Sequence, residues 1–302
     1  MNRSLFILVV LIFCNLLVSA QEFICLWPEG KMPNSKGMAL TDSIYDERYR
    51  RVGTPGMFAF FPSKQENKGA AIIICPGGGY KHFAYISSGT QIAKWFNTMG
   101  INAFVLISRL PHSPDLTERS KAPLQDAQRA IRLIRANAQR WDLKPDKIGI
   151  IGFSAGGHVA SSLATHTEDV SGIDDSLSHI SFYPDFVLLV SPVITMGEYT
   201  HTGSRNNLLG ENPSKELIDK YSNELQVTAK TPPAFIVHAE NDPAVSPKNS
   251  LLFFNALREN NVSASIHIFP FGGHAIGLQN NPGSTKLWKE LCEMWLIEKG
   301  LL

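Results

Sequence analysis

The chain has 302 residues, of which 28 are Lys or Arg and 27 Asp or Glu, leaving a formal charge of +1. So even a balance, without a run of like charge, offers no electrostatic footprint for nucleic acid or an anionic membrane surface and points to a neutral partner. The length suits one large α/β domain with a sizeable core.

Met1-Asn-Arg-Ser4 supplies a basic start, Leu5 to Val18 an apolar stretch, and Val18-Ser-Ala20 a small-residue cleavage site. This is the pattern of a signal peptide, predicted over 1–20 and removed after Ala20. The apolar stretch is shorter than the roughly 20 residues of a membrane span, so a secreted or periplasmic protein, free of the membrane after cleavage, is expected. Cleavage leaves Cys25, Cys75 and Cys292, without metal-ligand spacing. No metal is therefore expected. Cys75 and Cys292 sit in apolar settings that predict small buried side chains.

Residues 21–302 read as one domain. Glu22 to Asp46, with Pro28, Pro33 and several glycines, is expected to lie over the surface as an extended lead-in. Tyr49 to Phe61, interrupted by Gly53-Thr-Pro-Gly56, predicts two strands joined by a turn. The pattern then changes to strand and helix in alternation. Ala70 to Cys75, Ile101 to Ile107, Ile148 to Phe153, Asp185 to Val190 and Pro232 to His238 are apolar runs that fit buried parallel strands. Between them, Gly89 to Met99 and Ala122 to Trp141 predict helices. The second places Leu124, Ala127, Ala130, Ile131, Ile134, Ala138 and Trp141 on one face, with Gln128, Arg129, Arg132, Arg135 and Gln139 on the other. Ser246 to Asn260 predicts a helix, Val262 to Phe269 a strand covered on one face, and Thr285 to Lys299 a closing helix. The segment 194–231 carries no clear strand and predicts a helical insertion or lid. Alternation of this kind implies a mostly parallel sheet with helices on both faces, which binds ligands at the carboxyl ends of its strands.

Between the run ending at Phe153 and the helix beginning at Ala155 lies Gly152-Phe-Ser-Ala-Gly156. This Gly-x-Ser-x-Gly pattern puts a serine on a strained turn from strand to helix. A bare match arises by chance in about one 300-residue chain in ten, so its setting carries the weight. A serine nucleophile also needs a base, an acid to orient the base, and donors for the developing oxyanion. Cys75-Pro-Gly-Gly-Gly-Tyr80 directly follows a strand, and its bare backbone suits an oxyanion loop. Gly78, Gly79 and the N–H of Ala155 are the expected donors, although the sequence leaves open which glycine amide points inward. For the acid, the loop after His238 offers Asp242, with Glu240 as competitor. For the base, His274 lies in Phe271-Gly-Gly-His-Ala-Ile-Gly277, after the last strand, where two glycines free the ring to reach across. His267 and His238 lie within strands, and His166 and His201 near helix ends or the insertion. His158, one turn after Ser154, is expected to be a packed structural residue. The order Ser154, Asp242, His274 is that of the α/β-hydrolases.

Beyond these residues, the chain resembles the acetylxylan esterase and feruloyl-esterase-like group of exported bacterial α/β-hydrolases. The resemblance is carried by residues 75–80, Arg-Leu-Pro at 109–111, Asp-Ala-Gln-Arg-Ala at 126–130, 152–158, Asn-Leu-Leu-Gly at 207–210, Thr-Pro-Pro-Ala-Phe at 231–235 and Gly-Gly-His at 272–274. It implies the same triad, no cofactor, and an acylated polysaccharide or oligosaccharide as substrate. Ser108 and Ala275 depart from the group's usual Tyr and Gly, which bears on substrate preference. A feruloyl esterase or serine exopeptidase on this scaffold, or a carbohydrate-binding relative without turnover, are the alternative readings.

Overall fold

The lead-in is the first departure from expectation. In the computed structural model, which describes residues 22–274 and 276–302 and so leaves the expected signal peptide outside it, β1 (Phe23–Cys25) joins the main sheet as its outer strand. It runs antiparallel to β4 (Gly56–Phe60), with Phe23 packed on Phe58 at 4.8 Å and Leu26 and Trp27 buried behind it. The apolar run at 23–27 outweighs the prolines and glycines that follow, because the open sheet edge half-buries Phe23 and Ile24 and buries Leu26 and Trp27, while Cys25 stays exposed. A small hairpin, β2 (Ser43–Tyr45) and β3 (Arg48–Arg51), separates β1 from β4.

From there the alternation is regular. β5 (Ala71–Cys75), α1 (Gln91–Thr98), β6 (Asn102–Ile107), α2 (Ala122–Ala136), β7 (Ile148–Phe153), α3 (Ala155–Thr165) and β8 (Val187–Val190) follow in turn. The insertion contributes α4 (Thr202–Leu209), α5 (Lys215–Lys220) and a short 3₁₀ turn. β9 (Ala234–Ala239), α6 (Lys248–Glu259), β10 (Ala264–Phe269) and α7 (Trp288–Glu298) complete the chain. The strand order is β1-β4-β6-β5-β7-β8-β9-β10, parallel from β6 to β10.

Continuous apolar runs make the central strands because both faces of the sheet are covered. On β5, Ala71, Ile73 and Cys75 pack into the layer formed by α2, α3 and α6, while Ile72 and Ile74 pack into the layer of α1 and α7. The three isoleucines have no exposed surface, and each contributes roughly 1.5–3 kcal/mol by its burial. β10, at the edge, stays half-covered.

The polar face of α2 is covered as well. Gln128, Arg129 and Arg132 are buried, beneath the irregular connection from α3 to β8. Arg129 donates to the Leu26 carbonyl and pairs with Asp175 at 2.8 Å; Arg132 donates to the Ile180 carbonyl and pairs with Asp169 at 2.6 Å. Gln128 bonds the Glu168 carbonyl and the Val170 N–H. A long loop lacks its own ladder, so these side chains satisfy its backbone.

From β5 the chain passes to β6 on one side, then back across to β7 on the other. The carboxyl ends of β5 and β7 therefore bound the switch-point crevice in which such sheets bind ligands. β5 leads into the three glycines and β7 into Ser154.

Candidate active site

Ser154 has φ 53° and ψ −122°, a backbone conformation costly for a side chain with a Cβ. Its N–H donates to the Val190 carbonyl on β8, and its carbonyl accepts from Gly157 and Val193. The flanking glycines are required by contact: a Cβ on Gly152 would stand 2.1 Å from the Gly156 carbonyl oxygen, and one on Gly156 2.1 Å from that of Cys75. The turn holds the serine hydroxyl at the head of α3.

Two other strand ends meet it there. His274 Nε2 lies 2.8 Å from Ser154 Oγ, and His274 Nδ1 lies 2.7 Å from Asp242 Oδ2. The Gly273 N–H donates to Asn241, tying the histidine loop to the acid loop. Asp242 is well anchored. Its Oδ1 accepts the N–H groups of Ala244 and Val245, each at 2.9 Å. Burial pushes its carboxyl upward, but bonds from His238, His274 and these two amides outweigh that and hold it well below the usual range. Glu240, the competing acid, is exposed and points its backbone rather than its side chain at the sheet.

His238 is a residue that sequence reasoning missed. Fully buried within β9, it lies 3.2 Å from Asp242 Oδ2 through Nε2, which also donates to the Val245 carbonyl at 2.9 Å. Its Nδ1 accepts from Ser250 at 2.7 Å. The acid is thereby gripped from below as well as by its partner histidine.

Among the glycines, Gly77 donates its N–H to Ser88 at 3.1 Å. The amides of Gly78 and Gly79 have no protein acceptor among the described residues, and Ala155, first residue of α3, has no intrahelical acceptor for its own. Gly78 and Gly79 have φ of 139° and 63°, and a Cβ on Gly78 would strike the His82 carbonyl at 2.0 Å. These glycines and the serine share a cavity of about 650 Å³, lined also by His274, His201 and Asn207. The insertion closes one side of it: Asn207 of α4 donates to the Gly79 carbonyl at 2.8 Å.

His158 is buried. Its Nε2 donates to the Tyr221 carbonyl and its Nδ1 accepts from the Tyr80 hydroxyl, both at 2.7 Å. The ring thus ties the glycine loop, α3 and the insertion together. Burial lowers its pKa from the ordinary value near 6.5 to about 4. Below pH 6.5 the unfolded chain takes up a proton that the folded ring refuses until about pH 4, so stability falls as pH falls through that window. Between pH 7 and 5 this one site is expected to cost about 2 kcal/mol of stability. Urea unfolding of wild type and His158→Gln at both pH values checks it: equal pH dependence in the two proteins would refute the assignment.

Burial pushes the Cys75 and Cys292 thiols far above their usual range, so neither is a nucleophile.

The BD-FAE family pattern matches residues 58–257, which span β4 to α6 and so include Ser154 and Asp242. The chain belongs to the BD-FAE family. Within the curated relatives, this BD-FAE chain is 40% identical over 230 residues to endo-1,4-beta-xylanase B of Butyrivibrio fibrisolvens, covering 75% of this chain and 35% of that protein. To the acetylxylan esterase of Xylanibacter ruminicola it is 35% identical over 232 residues, covering 74% of this chain and 44% of that one. The chain thus spans less than half the length of either. Among solved structures, the acetyl ester-xyloside bifunctional hydrolase of Caldicellulosiruptor lactoaceticus superposes with a TM-score of 0.80 at 36% identity, over 93% of this chain and 97% of that one. The carboxylesterase Cest-2923 of Lactobacillus plantarum, at 24% identity and TM-score 0.70 over 88% and 99%, shares the fold. The α/β-hydrolase architecture is therefore that of esterases and related hydrolases.

Proposed function

We propose that this BD-FAE protein is an exported serine esterase that removes acetyl groups from xylan-type polysaccharides or their oligosaccharides through an acyl-enzyme. The observation that carries the reading is the unbroken line of short contacts from Asp242 through His274 to Ser154, whose serine end opens on a cavity that is also lined by Gly78 and Gly79, the amides of which are unengaged. Ser154 Oγ attacks the ester carbonyl carbon while His274 Nε2 takes its proton. The carbonyl oxygen becomes an oxyanion held by the N–H groups of Gly78, Gly79 and Ala155, and Asp242 stabilises the imidazolium. Collapse breaks the bond to the sugar oxygen, which leaves with the proton from His274. Water, deprotonated by the same nitrogen, then attacks the acetyl-serine and releases acetate.

The acetyl preference and the xylan backbone rest on the relatives, and export rests on the signal-like pattern at 1–20. A cavity of about 650 Å³ exceeds what an acetyl group fills and leaves room for the sugar that bears it. The test is a substrate comparison: acetate release from acetylated xylan set beside ferulate release from a feruloylated arabinose ester. Acetate release is expected to exceed ferulate release by about a hundredfold in kcat/KM, the size of discrimination that a few kcal/mol of misfit supplies. Faster ferulate release would replace the acetyl assignment with the feruloyl one.

A further inference from the structure

His201 stands at the head of α4, on the insertion, and lines the same cavity as Ser154, His274 and Gly79. Its ring is oriented by its own helix. The Ser204 N–H donates to Nδ1 at 3.1 Å, and the Ser204 hydroxyl lies 2.8 Å from the same nitrogen. An acceptor of a backbone N–H carries no proton, so in the neutral ring the hydrogen sits on Nε2. That N–H has no protein acceptor among the described residues. Burial, and then the nearby His274, keep the ring's pKa below the ordinary histidine value, so it stays a neutral donor.

The ring's position decides which part of a substrate it meets. Its Cε1 lies 3.8 Å from where a Cβ on Gly79 would stand, so it borders the glycine loop on the insertion side. The departing alcohol oxygen must lie against His274 Nε2, which returns its proton. His201 and His274 line the same cavity, so a substrate whose alcohol oxygen lies against His274 Nε2 brings the sugar that carries it within reach of the insertion side.

We infer that His201 Nε2–H binds a free hydroxyl of the sugar next to the ester oxygen and so selects esters of polyhydroxylated alcohols over simple ones. This deepens the esterase reading and rests on it. Neutral donor and neutral hydroxyl suit each other, and the contact pins the sugar ring so that its ester oxygen lies at His274.

His201→Asn tests it, because asparagine caps a helix as well as any residue and keeps the bond from Ser204, yet is too short to extend a donor into the cavity. Acetylated xylooligosaccharide and 4-nitrophenyl acetate, whose leaving group has no vicinal hydroxyl, are compared in wild type and variant. The variant is expected to lose about tenfold in kcat/KM on the oligosaccharide, the size of one lost neutral hydrogen bond, and to stay within about twofold on the aryl ester. Equal losses on both esters would mean that His201 serves the oxyanion or the fold, and loss on neither would mean that it binds nothing; either overturns the inference. A wild type silent on both esters would overturn the esterase reading itself.

Discussion

Ser154→Ala is expected to lower kcat on acetyl esters by roughly 10⁵-fold while leaving the thermal midpoint within about two degrees of wild type. The size follows from losing covalent catalysis altogether: a serine-triad enzyme without its nucleophile keeps only what its oxyanion donors and substrate binding supply. That is about 7 kcal/mol of activation free energy. The fold should survive, because the strain at φ 53° belongs to the backbone and Ala has the same Cβ. Removing the hydroxyl also leaves no buried polar atom stranded, since His274 Nε2 faces the cavity. Steady-state rates on 4-nitrophenyl acetate, together with the burst of nitrophenol that an accumulating acyl-enzyme produces, provide the check. A variant that keeps more than a hundredth of wild-type kcat would exclude Ser154 as the nucleophile.

The three residues named from strand ends meet in space because position along the chain is what a parallel sheet translates into position at one edge. Ser154 follows β7, Asp242 follows β9 and His274 follows β10, and each apolar run that ends before them is visible as such. Their neighbours were not legible in the same way. His238 lies inside β9, between Val237 and Ala239, and nothing local distinguishes it from a packed histidine; only the turn at Asp242, which folds back over the strand end, sets the two in contact. Tyr80 and Tyr221 are 78 and 63 positions from His158, a separation that no periodicity reports. On α2, amphipathic spacing showed which residues are polar but not that a later loop would cover them. Arg129 and Arg132 are polar because an irregular backbone needs their donors. At β1 the turn-forming residues of 22–46 mask the strand, because an edge strand of three residues, Phe23–Cys25, is too short to show a period of its own.

Asp242→Asn is the more specific trial of the arrangement, and the surroundings of this carboxylate dictate how it fails. Oδ1 faces two donors, the N–H groups of Ala244 and Val245, so an asparagine must keep its oxygen there and turn its NH₂ toward the position of Oδ2. That group then points at His274 Nδ1, 2.7 Å away in the wild type. His274 can accept it only by giving up the Nδ1 proton, which moves the hydrogen to Nε2, opposite Ser154. A ring protonated on that nitrogen cannot take the serine proton. His238, 3.2 Å from the same position, must also choose between its bond to the Val245 carbonyl and accepting from the new NH₂, but a flipped amide would set its NH₂ against the Ala244 and Val245 N–H groups, which unlike a histidine ring cannot change tautomer. The expected loss in kcat is about 10⁴-fold, the scale at which the wrong histidine tautomer disables such a triad. Imidazole ¹H–¹⁵N correlation spectra supply a readout that simple misfolding would not produce: the His274 proton should sit on Nδ1 in the wild type and on Nε2 in the variant. If the variant keeps its proton on Nδ1, or retains more than a tenth of wild-type kcat, Asp242 does not orient the base.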